Sequence, residues 1–207
     1  MASNIWNFWA KNYDKLWVQK YSLRPTREMI LKLIEEDNKE DSGAKVLDLG
    51  CGPGEIISLL EDKYEKFNIT GIDFSEEMLK VSRARNFKAR HIHLDVKNLG
   101  KLKEKFNIII CTHSFPYYKD MDKVILDLNR LLEDDGKLYI AFASGNNFYD
   151  KFALSFVKLT TGFANYPSDT EFRKIVSKSF EVDSLNIIKE KTYMPRIAVY
   201  KLRKSKI

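Results

Sequence analysis

The 207-residue chain is 44% hydrophobic and 31% charged, which excludes a disordered or fibrous protein and suffices for one domain with a buried core. Lys and Arg exceed Asp and Glu by 35 to 29, a net charge of +6. The lysines are scattered, however, and the densest basic stretch is the terminal Lys201, Arg203, Lys204 and Lys206, which reads as a solvated tail, with a nucleic-acid or anionic-membrane contact as its alternative.

No stretch approaches about 20 apolar residues, and the start of the chain lacks a basic, apolar leader with a cleavage site. No membrane span and a cytoplasmic location are expected. The two cysteines, Cys51 and Cys111, are too few for a disulfide scaffold and are not spaced as metal ligands, so reduced thiols are expected and no metal is assigned.

From residue 4 to about 20, Trp6, Trp9, Tyr13 and Trp17 recur at three and four along one helical face. Such a stripe serves as core or, lying ahead of the first strand, as a helical lid. A second helix follows over Pro25 to Glu36, with proline at an early position. From residue 45, strand-like runs alternate with helical ones: 45–49, helix 54–63; 68–72, helix 75–85; 89–94; 106–111, helix 121–132; 137–143. Alternation of this kind implies a parallel sheet covered by helices on both faces. After residue 143 the order changes. An aromatic helical segment (146–160) leads to a helix opened by a capping box, Ser168 and Glu171, and two strand-like runs, about 180–190 and 193–203, close the chain as an antiparallel pair.

The first strand runs into Asp48-Leu49-Gly50-Cys51-Gly52-Pro53-Gly54. Glycine lets the backbone turn tightly and approach a ligand, and the amides opening the next helix face the same place. A dinucleotide loop wants a small residue at its sixth position, where this chain has Glu55. The form carried by Asp48, Gly50, Gly52 and Gly54 instead resembles motif I of class I S-adenosylmethionine-dependent methyltransferases. Asp73, in Gly71-Ile72-Asp73-Phe74-Ser75, stands about 20 positions further on, where a carboxylate accepts from ribose hydroxyls. Ser75 caps the next helix, and Phe74 and Met78 would flank the adenine.

The resemblance extends from about residue 44 to 143 and is nearest the group that includes the ubiquinone/menaquinone C-methyltransferases. It implies that Asp95 accepts from the adenine amine, that the Val96 amide donates to the ring, and that Thr112-His113-Ser114 borders the methyl donor. Leu131 to Leu138 is similar to the family's helix, turn and fifth strand, with Gly136 supplying the turn. Tyr13-Asp14 and Tyr21 to Pro25 look like a cofactor-closing segment. Cys51 and Cys111, at strand ends beside the loop, join the cofactor set. The implied fold is a Rossmann-like α/β sheet of seven mostly parallel strands with a C-terminal antiparallel pair and an N-terminal helical lid. Residues 1–207 then form one domain: a cap (1–43), a cofactor-binding core (44–143), a substrate-side insertion (144–179) and the terminal strand pair (180–207).

Methyl transfer from a sulfonium needs alignment and exclusion of water, and a base only where the acceptor must lose a proton. His113 is the base candidate, because histidine titrates near neutrality; its alternative is a backbone hydrogen-bonding role. His91 and His93 read as packing. Ser114-Phe115-Pro116-Tyr117 partly resembles the Asn/Asp/Ser-Pro-Pro-Tyr motif of amine methyltransferases, with Phe115 in place of the first proline and the register one residue late. Trp9, Trp17, Tyr21, Tyr117, Tyr118, Phe148 and Phe152 are the candidates for lining an acceptor site. The expectation is methylation of a small molecule with an apolar or aromatic body by a monomer or weak homodimer. RNA or protein amine methylation, and a catalytically silent cofactor-binding module, are the alternatives.

Overall fold

A computed structural model describes residues 19–38, 43–146, 164–191 and 194–205, together with Asp150 and Leu154. A short π-helical turn, Gln19–Leu23, leads into α1 (Arg24–Asp37). Then follow β1 (Lys45–Leu49), α2 (Glu55–Lys63), β2 (Asn68–Asp73), α3 (Glu76–Arg85), β3 (Arg90–His93), a 3-10 turn (Val96–Lys101) and β4 (Phe106–Thr112). A second 3-10 turn (Phe115–Tyr117), α4 (Met121–Leu131), β5 (Leu132–Ala143), α5 (Asp169–Val176), β6 (Phe180–Ile188) and β7 (Ile197–Lys204) complete the described elements.

The seven strands form one sheet in the order β3-β2-β1-β4-β5-β7-β6. The first five run parallel, and β7 is antiparallel to both of its neighbours. Side chains alternate strictly across it, as a strand's period of two requires. Leu47, Leu49, Ile109, Cys111, Leu138 and Ile140 pack with Leu128 of α4 and Phe172 of α5. Val46, Ile108, Ile110, Tyr139 and Ala141 pack with Ile30 and Ile34 of α1, Ile57 and Leu60 of α2, and Leu79 of α3. Each of these large apolar side chains contributes about 1.5–3 kcal/mol by full burial, so the two layers hold the sheet from both sides.

Local chemistry sets the helix starts. The Ser75 side chain accepts from Met78 N, Asp120 accepts from Lys123 N, and Ser168 with Glu171 forms the complete capping box. The fifth strand differs from expectation. It begins at Leu132, directly after α4, and Phe106 pairs with Leu132 while Ile108 pairs with Lys137, so residues 133–136 bulge out within the strand. Gly136 makes no positive-φ turn; a Cβ there would stand 2.9 Å from the Asn107 carbonyl oxygen and from Leu132. Its glycine is explained by close approach.

From β1 the chain builds outward through β2 and β3, then crosses back to place β4 on the other side of β1. The loops leaving β1 and β4 therefore diverge, opening a crevice at the carboxyl ends of these strands, where open α/β sheets bind ligands.

Candidate functional site

One wall of the crevice is backbone. Gly50, Gly52 and Gly54 adopt φ of 74°, 52° and 78°, a left-handed region that side chains other than glycine enter at a cost. Gly50 N and Cys51 N both donate to the Ile72 carbonyl, at 2.7 and 3.0 Å, tying the loop to β2. A Cβ on Gly50 would stand 2.5 Å from Ser114, and one on Gly54 would collide with Ser82 and Asn86. Among the described residues nothing lies within 4 Å of where a Cβ would stand on Gly52.

Two carboxylates support this loop. Asp73 accepts from Gly52 N at 2.9 Å and from Ser75 N at 2.8 Å, joining the loop to the start of α3; burial raises its pKa. Asp48 is 1% exposed, and neither of its carboxylate oxygens has a hydrogen-bond partner among the described residues. Burial, with the Asp73 charge adding, pushes it up to about 8. A buried carboxylate without partners costs free energy until a donor or cation reaches it.

Three adjoining compartments make up the cleft, and Gly50 borders all of them. The largest, about 230 Å³, is lined by Asp73, Phe74, Leu94, Asp95, Val96 and Tyr118 among others. A middle one of about 90 Å³ has Gly52, Asp73, Met78, His113 and Tyr117. The smallest, about 50 Å³, has Arg27, Asp48, Cys51, Glu55 and His113. Asp48, Gly50, Cys51, Gly52, Asp73, Phe74, Met78, Asp95 and Val96 are thus brought together as the sequence implied. Gly54 lies behind the loop, its carbonyl held at 2.9 Å by the Asn86 amide.

Cys111 does not join them. It is fully buried in the layer beneath α4, its Sγ 3.2 Å from Ser114 Oγ, and burial pushes its thiol up to about 12. Burial raises the Cys51 thiol as well, so neither cysteine is the thiolate that reactivity requires. Tyr21 is also absent from the residues lining the three compartments; the ammonium groups of Lys20 and Lys191 sit 5.2 and 5.5 Å from its ring. Trp9, Tyr13, Trp17, Phe148 and Phe152 lie outside the described residues, as does most of the proposed lid.

The opposite wall is made of side chains from the turn after β4. His113 has a φ of 58°, a strained value for a non-glycine residue and one that clusters at functional sites. Its N–H donates to the Ala141 carbonyl at 2.7 Å, and its Nε2 lies 2.9 Å from Thr26 Oγ1 of α1. Burial, with the Arg27 guanidinium adding, brings its pKa down to about 4. This corrects the expectation of a histidine poised near neutrality. Ser114 Oγ donates to the Leu49 carbonyl at 3.0 Å and accepts from Tyr118 Oη at 3.0 Å. The Pro116 carbonyl accepts from Asn165 N at 2.7 Å, and Tyr117 Oη meets Tyr166 Oη at 3.3 Å. The polar atoms with which an amine-methylating motif would hold its substrate are therefore engaged within the chain.

Sequence reasoning missed Thr26, Arg27 and Asn86. Arg27 pairs with Glu55 at 2.6 Å across the smallest compartment. Asn86, 1% exposed, takes the Ser58 hydroxyl at 2.5 Å and lies 3.3 Å from Ser82 Oγ, which meets His91 Nε2 at 2.7 Å. The signal available for Thr26 was a single polar residue four and eight positions ahead of Ile30 and Ile34 on the buried face of α1.

A family described as a methyltransferase domain matches residues 40–195. The malonyl-[acyl-carrier protein] O-methyltransferase of Bacillus cereus is 29% identical over 110 residues, 53% of this chain and 41% of that protein. The demethylmenaquinone methyltransferase of Thermotoga maritima is 33% identical over 114 residues, 55% and 48% of the two chains. The chain thus spans about half the length of these relatives. In fold it is similar to the N-methyltransferase NodS of Bradyrhizobium japonicum, solved with S-adenosyl-L-homocysteine, at a TM-score of 0.78, 14% identity and 99% coverage of both chains. With the sheet order, the glycine loop and the family match over three-quarters of its length, the chain belongs to the methyltransferase domain family, as a class I, S-adenosylmethionine-dependent member.

Proposed function

We propose that the protein methylates a small-molecule acceptor with an apolar or aromatic body. The observation that carries this reading is that, among the described residues, the buried Asp48 oxygens have no hydrogen-bond partner and nothing crowds the face of the glycine loop at Gly52. A bound S-adenosylmethionine supplies a methyl group on a sulfonium centre. In this reading Asp48 accepts from its ammonium, the cation that a buried carboxylate lacks. Asp73 keeps lone pairs for ribose hydroxyls while holding the loop. Asp95 and Val96 border the compartment suited to the adenine, with Phe74 and Met78 as apolar walls. The names of the relatives, on malonyl-[acyl-carrier protein] and demethylmenaquinone, support a metabolite-scale acceptor over a nucleic acid, and the engagement of Ser114 and Pro116 weighs against the amine-methylating motif. Tyr117 and Tyr118 supply the aromatic acceptor wall, with Tyr166 of the insertion meeting Tyr117.

Calorimetry tests the reading. S-adenosylhomocysteine should bind, and Asp73→Ala should weaken it strongly; no heat with the wild-type protein overturns the assignment. Methyl uptake into any metabolite of a screen would exclude the silent-module alternative.

A further inference from the structure

Thr26 is fully buried in the first turn of α1, and its hydroxyl donates back to the Ser22 carbonyl at 2.7 Å. A carbonyl can only accept, and a hydroxyl carries one proton. Thr26 Oγ1 therefore has only lone pairs left for the His113 ring nitrogen 2.9 Å away. The contact is satisfied when Nε2 carries the hydrogen. The neutral ring has one N–H, so Nδ1 is left as a bare lone pair. Nδ1 takes no hydrogen bond from any described residue, and the side chain of His113 is only partly buried. His113 borders the middle and smallest compartments of the cleft.

We propose that His113 is a tautomer-locked hydrogen-bond acceptor in the active site: Thr26 fixes its proton on Nε2, and its Nδ1 receives an N–H or O–H of the methyl acceptor. The proposal rests on the methyltransferase reading and adds a substrate class to it. An acceptor that carries a donor hydrogen on its nucleophile, an amine or a hydroxyl, is oriented by the lone pair, whereas a carboxylate nucleophile would place one lone pair against another. Orientation of this kind contributes by holding the nucleophile in a near-attack geometry. The left-handed backbone of His113 fits the role, since strain there is retained where a side chain must be aimed. A ring kept neutral by burial also retains its lone pair across the physiological range.

The test is 15N NMR of the three histidines at neutral pH, with His113→Asn used to assign the signal. Wild-type His113 should show a protonated-type shift at Nε2 and a bare-type shift at Nδ1, and Thr26→Val should move both toward intermediate values. An Nδ1–H or averaged ring in the wild type overturns the proposal. Aniline, benzyl alcohol and benzoate, added in the presence of S-adenosylhomocysteine, then share a ring and differ in the reacting group. The first two should shift the Nδ1 signal and benzoate should not; an equal shift with benzoate, or none with any probe, overturns the proposal. Heat of S-adenosylhomocysteine binding reports on the cofactor reading alone, so the two failures are separable.

Discussion

The two walls of the cleft are built from different materials. The wall after β1 is backbone: three glycines at positive φ, amides tied to Ile72, and a loop supported from beneath by Asp73 and Asn86. The wall after β4 is side chain: His113, Ser114 and Tyr118 joined by hydroxyl and ring hydrogen bonds to α1 and to the end of β1. The first wall has almost no freedom to change shape, because its three glycines hold dihedrals that only glycine adopts readily. The second can exchange partners by rotating side chains. A cofactor common to a whole family suits the first wall, and an acceptor particular to each member suits the second.

The sharpest way to break this contrast is Gly54→Ala. The new methyl group meets Ser82 and Asn86 in a backbone conformation that disfavours alanine, so a loss of roughly 2–5 kcal/mol is expected in urea unfolding. Asp73→Ala comes next. Losing the charged acceptor of two backbone amides should weaken S-adenosylhomocysteine by about 10- to 100-fold, a range that follows from roughly 1.5–3 kcal/mol for a hydrogen bond to a charged group. Calorimetry of a variant still folded at low temperature reads this directly.

Asp48→Asn separates ligand binding from stability. In the folded protein Asp48 holds its proton up to about 8, against 3.8 for the free side chain. Between those values the folded state binds more protons than the unfolded one, so the Asp48 contribution to stability falls as pH rises through that window. Asp48→Asn should flatten that fall and raise the ligand-free melting temperature at pH 8, while weakening S-adenosylhomocysteine. A variant that loses both would assign Asp48 to bracing the loop. Tyr118→Phe should do least. It removes one donor to Ser114, about 0.5–1.5 kcal/mol, and should leave S-adenosylhomocysteine affinity within about threefold; a loss matching Gly54→Ala would erase the distinction between the walls.

The same contrast explains what could be read in advance. Glycine at alternate positions, an acid at the end of each of the next strands and the alternation of elements are properties of single residues and their spacing, and they foretold β1, β2, β4 and the cofactor side. Ser168 and Glu171 likewise announced α5. The β4 side depends on pairings between residues far apart in the chain. Nothing near Thr26 indicates that its hydroxyl meets His113, 87 positions away. Cys111 was misplaced because its position at the end of β4 announces nearness to the loop but not its full burial, which comes from packing with residues far along the chain. The altered ionisation of His113 follows from burial, which no local motif encodes.

Helix α1 lies outside the β-α alternation, yet it is pinned at both ends. Near its start, Thr26 meets His113 and Arg27 pairs with Glu55. At its end, Asp37 accepts from Tyr139 and Lys201, both at 2.5 Å. Between these points Ile30 and Ile34 are fully enclosed. A peripheral helix held in this way behaves as a strut. Its amides should exchange with solvent as slowly as those of the central strands, and any force transmitted along it from the β5–β7 pair would arrive at the ring of His113.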